Sequence, residues 1–148
     1  MIVNGKSLLI AEPVKPMAPN KNYLHGVSYG LGEAGYDIRI RQSLWLFPGR
    51  RFSLASTIES FRMPFDMVAI VHDKSTWARR GLSVFNTVIE PGWEGFLTLE
   101  LVYHGWRPLQ IKAGSGIAQV IFHKLSDSAA YTGRYQHQST DPVPAILA

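Results

Sequence analysis

Lys74-Ser75-Thr76-Trp77-Ala78-Arg79-Arg80-Gly81-Leu82 is followed closely by Ile89-Glu90-Pro91-Gly92-Trp93-Glu94-Gly95-Phe96-Leu97-Thr98-Leu99-Glu100. The first stretch is a short basic loop with two hydroxyls, suited to phosphate. The second is a tight Pro-Gly turn beside an aromatic, running into a strand that carries a glutamate among leucines. In a strand, successive side chains point to opposite faces. Leu97, Leu99 and Leu101 then share one face, and Phe96, Thr98 and Glu100 the other. Such parts suit an enzyme that holds a charged nucleotide and does water chemistry on it.

Outward from this stretch, short apolar runs alternate with turn residues. Asp37 to Leu46 alternates in part, Met67 to His72 is a β-branched run, and Gly116 to Lys124 reads as a buried strand like Phe96 to Tyr103. Pro48-Gly49, Pro91-Gly92, His104-Gly105 and Ala113-Gly114 punctuate them. Closely spaced strands with turn signals predict an all-β barrel, sandwich or jelly roll. One short helical turn is expected around Ser75 to Arg80. Residues 11 to 30 are rich in Pro, Gly and Asn and read as irregular, so residues 1–30 are expected to form an irregular N-terminal arm. Residues 139–148 contain two prolines and read as a flexible tail. With 148 residues and no internal repeat, a single domain spanning 1–148 is expected.

Composition narrows the chemistry. A 46% hydrophobic fraction supplies a core, and no apolar run is long enough to span a membrane. The N-terminus lacks a secretion-signal pattern, so the expected location is the cytoplasm. The chain has no cysteine, which removes disulfides, thiolate nucleophiles and cysteine-ligated metals. Zinc nucleobase deaminases need a Pro-Cys-x-x-Cys segment, and this chain cannot build that site. The net charge is +4, but the basic residues are scattered, with short pairs at Arg50-Arg51 and Arg79-Arg80. A small polyanion such as a nucleoside triphosphate explains that charge at least as well as nucleic acid does. The five histidines show no ligand spacing, and no hydrolase elbow, Walker loop or dinucleotide fingerprint is present.

Three local patterns could carry chemistry, each with a plainer reading. A buried Glu100 would have a raised pKa, suiting a group that takes and gives a proton; at a strand edge it would be an ordinary solvated acid. Lys74, Ser75 and Arg79 fall within about one helical turn and could hold phosphate, or cap a surface helix. Glu90 could hold a sugar hydroxyl or activate water, while Trp93 could cover a base or plug the core.

Taken together, these segments resemble the dCTP deaminase and dUTPase superfamily. Gly35-Tyr36-Asp37-Ile38-Arg39 is similar to its first conserved segment, and Lys74 to Leu82 to its phosphate-binding Arg-Ser-Ser-Leu-Ala-Arg-x-Gly-Leu. Gly116-Ile117-Ala118-Gln119-Val120-Ile121-Phe122 is similar to its late strand. Within the superfamily, Ile89-Glu90-Pro91-Gly92-Trp93-x-Gly95 resembles the deaminase Ile-Asp-Pro-Gly-Trp-x-Gly, with Glu90 one methylene longer than the family's Asp. Thr98-Leu99-Glu100 resembles the strand whose Glu is catalytic in deaminases. Tyr131 to Gln138 resembles the deaminase tail Lys-Tyr-Gln-Gly-Gln. Asn86 stands where deaminases often carry Ala.

The resemblance implies a distorted jelly-roll barrel of the dUTPase-like type and a homotrimer with sites shared between neighbours. It also implies deamination of dCTP to dUTP and ammonia by metal-independent water attack at cytosine C4, supplying dUTP for thymidylate synthesis. Glu100, Ser75 and Arg79 are the implied catalytic set. Lys74, Ser75, Thr76, Arg79, Asn86, Glu90, Trp93, Thr98, Tyr131, Arg134 and Gln138 are the implied nucleotide-binding set. Magnesium would be bound mainly through the substrate triphosphate, with no zinc. The expected partners are small nucleotides (dCTP, with dUTP and dTTP also in range) and other copies of the chain, with no membrane and with nucleic acid ranked lower. A dUTPase, a bifunctional enzyme and a non-catalytic nucleotide-sensing trimer are the alternatives.

Overall fold

The computed structural model describes residues 1–49 and 52–147. The Arg50-Arg51 pair and Ala148 lie outside the described residues. Thirteen strands are formed among these residues. They are β1 (Ile2–Val3), β2 (Val14–Lys15), β3 (Lys21–Leu24), β4 (Val27–Leu31), β5 (Tyr36–Arg39), β6 (Leu44–Leu46), β7 (Phe52–Arg62), β8 (Met67–Asp73), β9 (Leu82–Val84), β10 (Val88–Ile89), β11 (Glu94–Tyr103), β12 (Leu109–Ile111) and β13 (Gly116–Lys124).

One sheet runs β10-β8-β13-β5-β4-β3, with β1 also on β13. A four-stranded sheet runs β2-β7-β11-β9, and β12 pairs with β6 as a ribbon. All named pairings are antiparallel. The curled sheets make a jelly-roll-like barrel, as the spacing of strands and turns predicts. The core is formed by inward residues such as Tyr36, Ile38, Ala55, Leu99, Leu101, Val120 and Phe122, each at most 1% exposed.

Two departures from the sequence reading stand out. The segment 11–30 is not irregular throughout: it contains β2, β3 and part of β4. β3 and β4 form a hairpin closed by His25 and Gly26, both at positive φ (53° and 78°), the signature of a primed two-residue turn. Every residue of β3 is exposed, so no apolar alternation marks it.

The second departure is a helix, α1 (Gly5–Ala11), beside the expected α2 (Ser75–Ala78). α1 has no side-chain N-cap bond and exposes Ile10, so its sequence is not visibly amphipathic. It is held by the fully buried Leu8 and by the left-handed Glu12, whose N–H donates to the Leu8 carbonyl.

The segment leading into the tail lies against the barrel. Residues 137 and 138 run alongside the start of β11: His137 N–H donates to the Glu94 carbonyl (2.8 Å) and Phe96 N–H to the Gln138 carbonyl (3.0 Å). Gly95 permits this close approach. Its φ is +142°, and a Cβ there would lie 2.7 Å from Gln138 N.

Candidate functional site

β11 is where the strand pattern becomes a site. Its pairing with β7 shifts between Phe96 and Thr98, a β-bulge. The bulge breaks strict alternation, so Leu97 and Thr98 both line the same cavity, and Glu100 joins them two residues on. The Leu97 N–H is taken by the buried Thr57 hydroxyl (3.0 Å), which holds the bulge in place.

That cavity has a volume of about 470 Å³, within the range of small-molecule sites. Its walls include Thr87 to Glu90 from β10 and its flanks, Trp93 from the turn before β11, Leu97, Thr98 and Glu100 from β11, Tyr131, Tyr135 and Gln138 from the late loop, and Val143 to Ala145 from the tail. Two carboxylates face it, and no Lys or Arg is among its lining residues.

Glu100 is half-buried, and its Oε2 is shielded from solvent with no hydrogen-bond partner. Burial raises its pKa above the ordinary carboxylate value, a push only partly offset by a bond to its own backbone. A buried polar atom left unpaired is uncommon in folded proteins and calls for an explanation. Here the residue that carries the atom is part of the cavity wall.

Around Glu100 the structure gathers Glu90, Trp93, Thr98, Tyr131 and Gln138 of the expected residues. Thr98 Oγ1 lies 3.4 Å from Gln138 Oε1. Glu90 follows β10 and is exposed at the cavity wall. It leads into a Pro-Gly turn closed by Trp93 N–H on the Glu90 carbonyl (3.1 Å), with Gly92 at φ +73°. Trp93 resolves toward packing. It is 5% exposed, its ring lies 6.0 Å from that of Phe61, and its indole N–H donates to the Tyr135 carbonyl (2.7 Å).

A residue missed in the sequence ties this rim together. Gln136 accepts from Glu94 N–H (2.7 Å) and donates to the Gly92 carbonyl (2.9 Å). Tyr135 was also missed. Its hydroxyl accepts the Ile146 N–H at 3.0 Å, and its ring lines the cavity. Both lie inside the Tyr131 to Gln138 motif, which was the available signal.

The basic set lies elsewhere. Lys74, Ser75 and Thr76 border a separate polar cleft of about 320 Å³ with Lys21, Ser28, Asp37 and Gln119. Lys74 is 8% exposed, and its ammonium is spent on the Asp37 carboxylate and the Ser28 hydroxyl (2.8 Å to the latter). Arg79 closes α2 on the surface, Asn86 is exposed, and Arg134 Nη1 donates to the Ile146 carbonyl (2.8 Å). None of these three lines the Glu100 cavity. One chain therefore gathers Glu100, Glu90, Trp93, Thr98, Tyr131 and Gln138, but does not bring Lys74, Ser75, Thr76 or Arg79 to them. Among the described residues, no group of three or more His, Asp or Glu could hold a metal, and no helix is long and apolar enough to cross a membrane.

A second buried acid has a structural role. Glu59 is fully buried, and burial raises its pKa against the opposing pull of Arg39, which donates to it through its backbone N–H and Nε (2.8 Å each).

A half-buried carboxylate, unpaired at Oε2, in the wall of a 470 Å³ cavity on a jelly-roll barrel makes this cavity the candidate functional site. The dCTP deaminase-like family model matches residues 36–125. A dCTP deaminase of Protochlamydia amoebophila is 34% identical over 153 residues, covering 81% of each chain. One from Campylobacter jejuni is 36% identical over 154 residues, covering 82% of this chain and 83% of that one. The chain belongs to the dCTP deaminase-like family.

Solved structures agree on the fold. The dUTPase of EIAV superposes with a TM-score of 0.57 at 20% identity, over 69% of this chain and 84% of its own. A dUTPase of phage phi11 of S. aureus gives 0.60 at 16% identity, over 81% and 94%.

Proposed function

We propose that the protein deaminates dCTP to dUTP and ammonia, with Glu100 moving the protons. The observation that carries this reading is the Glu100 carboxylate: half-buried, raised in pKa, unpaired at Oε2, and set in the wall of a 470 Å³ cavity. The curated relatives named dCTP deaminase support the choice of reaction.

In this mechanism Glu100 takes a proton from water as the water oxygen bonds to C4 of the cytosine ring. The same carboxyl passes that proton to N3, then takes the remaining proton from the C4 hydroxyl and delivers it to the departing amino group. The C4–N bond breaks, ammonia leaves, and the new C4 oxygen becomes the uracil carbonyl. A raised pKa serves both halves, because the group must be basic enough to accept the proton and acidic enough to release it. In this reading Thr98 and Gln138 would hold the base edge, Glu90 the sugar, and Tyr131 the side of the nucleotide.

Phosphate binding needs cations that the Glu100 cavity does not have among its lining residues. We assign these to α2 of a neighbouring copy, where Ser75 and Arg79 would stabilise charge developing at the reacting ring and Lys74 and Thr76 would sit near the phosphates. Arg134 would add a cation from the same chain as Glu100. This makes the active unit an oligomer, and we propose the homotrimer. The phage phi11 dUTPase is described as coordinating a structural Mg(II) ion. Magnesium would be held mainly by the triphosphate oxygens, where it would neutralise phosphate charge. We place the reaction in the cytoplasm, where it would supply dUTP for thymidylate synthesis.

A second reading has its own observation. Glu90 borders the same cavity, where it could activate water for attack on phosphorus, giving dUMP and pyrophosphate, alone or after deamination. One experiment separates the two. The protein is incubated with dCTP and with dUTP, and ammonia and pyrophosphate are measured. Ammonia from dCTP without pyrophosphate from either nucleotide is the expected result; pyrophosphate from dUTP without ammonia from dCTP would replace it with the dUTPase.

A further inference from the structure

The tail makes contacts that the proposed reaction has no use for. After Gln138 the chain runs along the Glu100 cavity and is held by four hydrogen bonds at three residues. The Ser56 hydroxyl donates to the Thr140 carbonyl. Val143 N–H donates to Thr98 Oγ1 (3.0 Å). Ile146 N–H donates to the Tyr135 hydroxyl (3.0 Å), and Arg134 Nη1 donates to the Ile146 carbonyl (2.8 Å). Between the hooks, Val143, Pro144 and Ala145 become cavity wall.

Two of the captured groups, Thr98 and Arg134, are ones the proposed function assigns to the nucleotide. The Thr98 hydroxyl already faces Gln138 Oε1 at 3.4 Å, so the bond from Val143 leaves it little free capacity. Arg134 spends a guanidinium N–H on a neutral carbonyl, where a phosphate oxygen would be the stronger partner.

The tail's own chemistry separates a plug from a clamp. Ser139-Thr140-Asp141-Pro142-Val143-Pro144-Ala145-Ile146-Leu147 has no Lys or Arg, carries one acid, and lacks an N–H at each of its two prolines. A segment built to close over a triphosphate would bring cations or free N–H groups; this one brings apolar side chains and a negative charge.

We infer that residues 140–147 form an intrasteric strap: in the free protein it occupies Thr98 and Arg134, and it has to release them before a nucleotide seats. The inference rests on the nucleotide reading of the cavity. When the binding-competent state is only part of the population, apparent affinity falls by that fraction. Loosening the strap therefore strengthens binding.

The test uses the full-length chain carrying Val143→Pro and Ile146→Pro together, which deletes the two N–H donors that hook onto Thr98 and Tyr135. The KM for dCTP is expected to fall by about fivefold to twenty-fivefold, since each of the two lost neutral hydrogen bonds is worth about fivefold. The Kd for dCTP, measured by calorimetry in a Glu100→Gln background where turnover is suppressed, is expected to fall alike. A gain of affinity is not a result that damage to the fold produces. An unchanged or raised KM with active wild-type protein overturns the strap and leaves the deaminase standing. If wild-type protein releases no ammonia from dCTP, the function fails; the strap then survives only if the double variant tightens dUTP binding, and falls if it does not.

Discussion

Replacing Glu100 by Gln is predicted to make the protein more stable as it makes it inactive. Glu100 Oε2 is buried without a partner, and burial raises the pKa of the carboxyl above its ordinary value of 4.5. The folded chain therefore holds that proton more tightly than the unfolded chain does, so ionisation opposes folding at neutral pH. An unsatisfied buried polar group costs about 1–3 kcal/mol and a charged one more, so a neutral amide in the same place removes only the excess cost of the charge. Glu100 is only half-buried, which puts the gain near the lower end, at about 1 kcal/mol. For a chain of this size that corresponds to a rise in Tm of about 2–4 °C.

The gain has a pH signature. It is full above the raised folded pKa, shrinks as pH falls toward 4.5, and disappears below that value, where both states carry the proton. Thermal unfolding of wild type and Glu100→Gln at neutral pH and again near pH 4 checks both parts. A variant no more stable than wild type at pH 7, or equally stabilised at both pH values, would refute the view that this carboxylate is held ionised at a cost.

Three more outcomes follow from the geometry. Because Glu100 must be ionised to accept a proton from water, kcat/KM should fall as pH drops through its raised pKa, with an acid limb above the ordinary carboxylate range in a pH–rate profile. Gly95→Ala would put a Cβ 2.7 Å from Gln138 N at φ +142°, displacing the rim strand. Steady-state kinetics should show kcat/KM lower by on the order of tenfold to a hundredfold. Asp37→Ala leaves the Lys74 ammonium buried with only the Ser28 hydroxyl, and urea unfolding should show a loss of about 3 kcal/mol.

The long strands were legible because their burial matches their sequence pattern. β8, β11 and β13 carry apolar runs bounded by turn residues, and the Pro91-Gly92 turn forms as its residues require. β7 was not legible. Its buried stretch runs through Ser56, Thr57 and Glu59, whose polar atoms are satisfied by partners distant in sequence, such as Gln42 and Arg39. β3 was hidden because all its side chains face water and only the hairpin turn marks it. α1 depends on the burial of one residue, Leu8.

Much of the candidate site was legible by resemblance, and the structure gathers Glu90, Thr98, Glu100, Tyr131 and Gln138 around one cavity. Three features were beyond the sequence. The bulge at Leu97 depends on the Thr57 hydroxyl across the sheet. The engagement of Lys74 by Asp37 depends on how β5 and β8 sit on either side of β13. The tail's hold on Thr98 and Arg134 is a tertiary contact with no local signal in a Pro-rich segment.

The most direct measurement compares wild-type protein with Glu100→Gln in ammonia release from dCTP at saturating nucleotide. Proton transfer by Glu100 predicts that wild type yields one ammonia for each dUTP formed, and that the variant loses on the order of a hundredfold to ten-thousandfold in kcat while staying folded. A folded Glu100→Gln protein that deaminates dCTP at the wild-type rate would contradict the account.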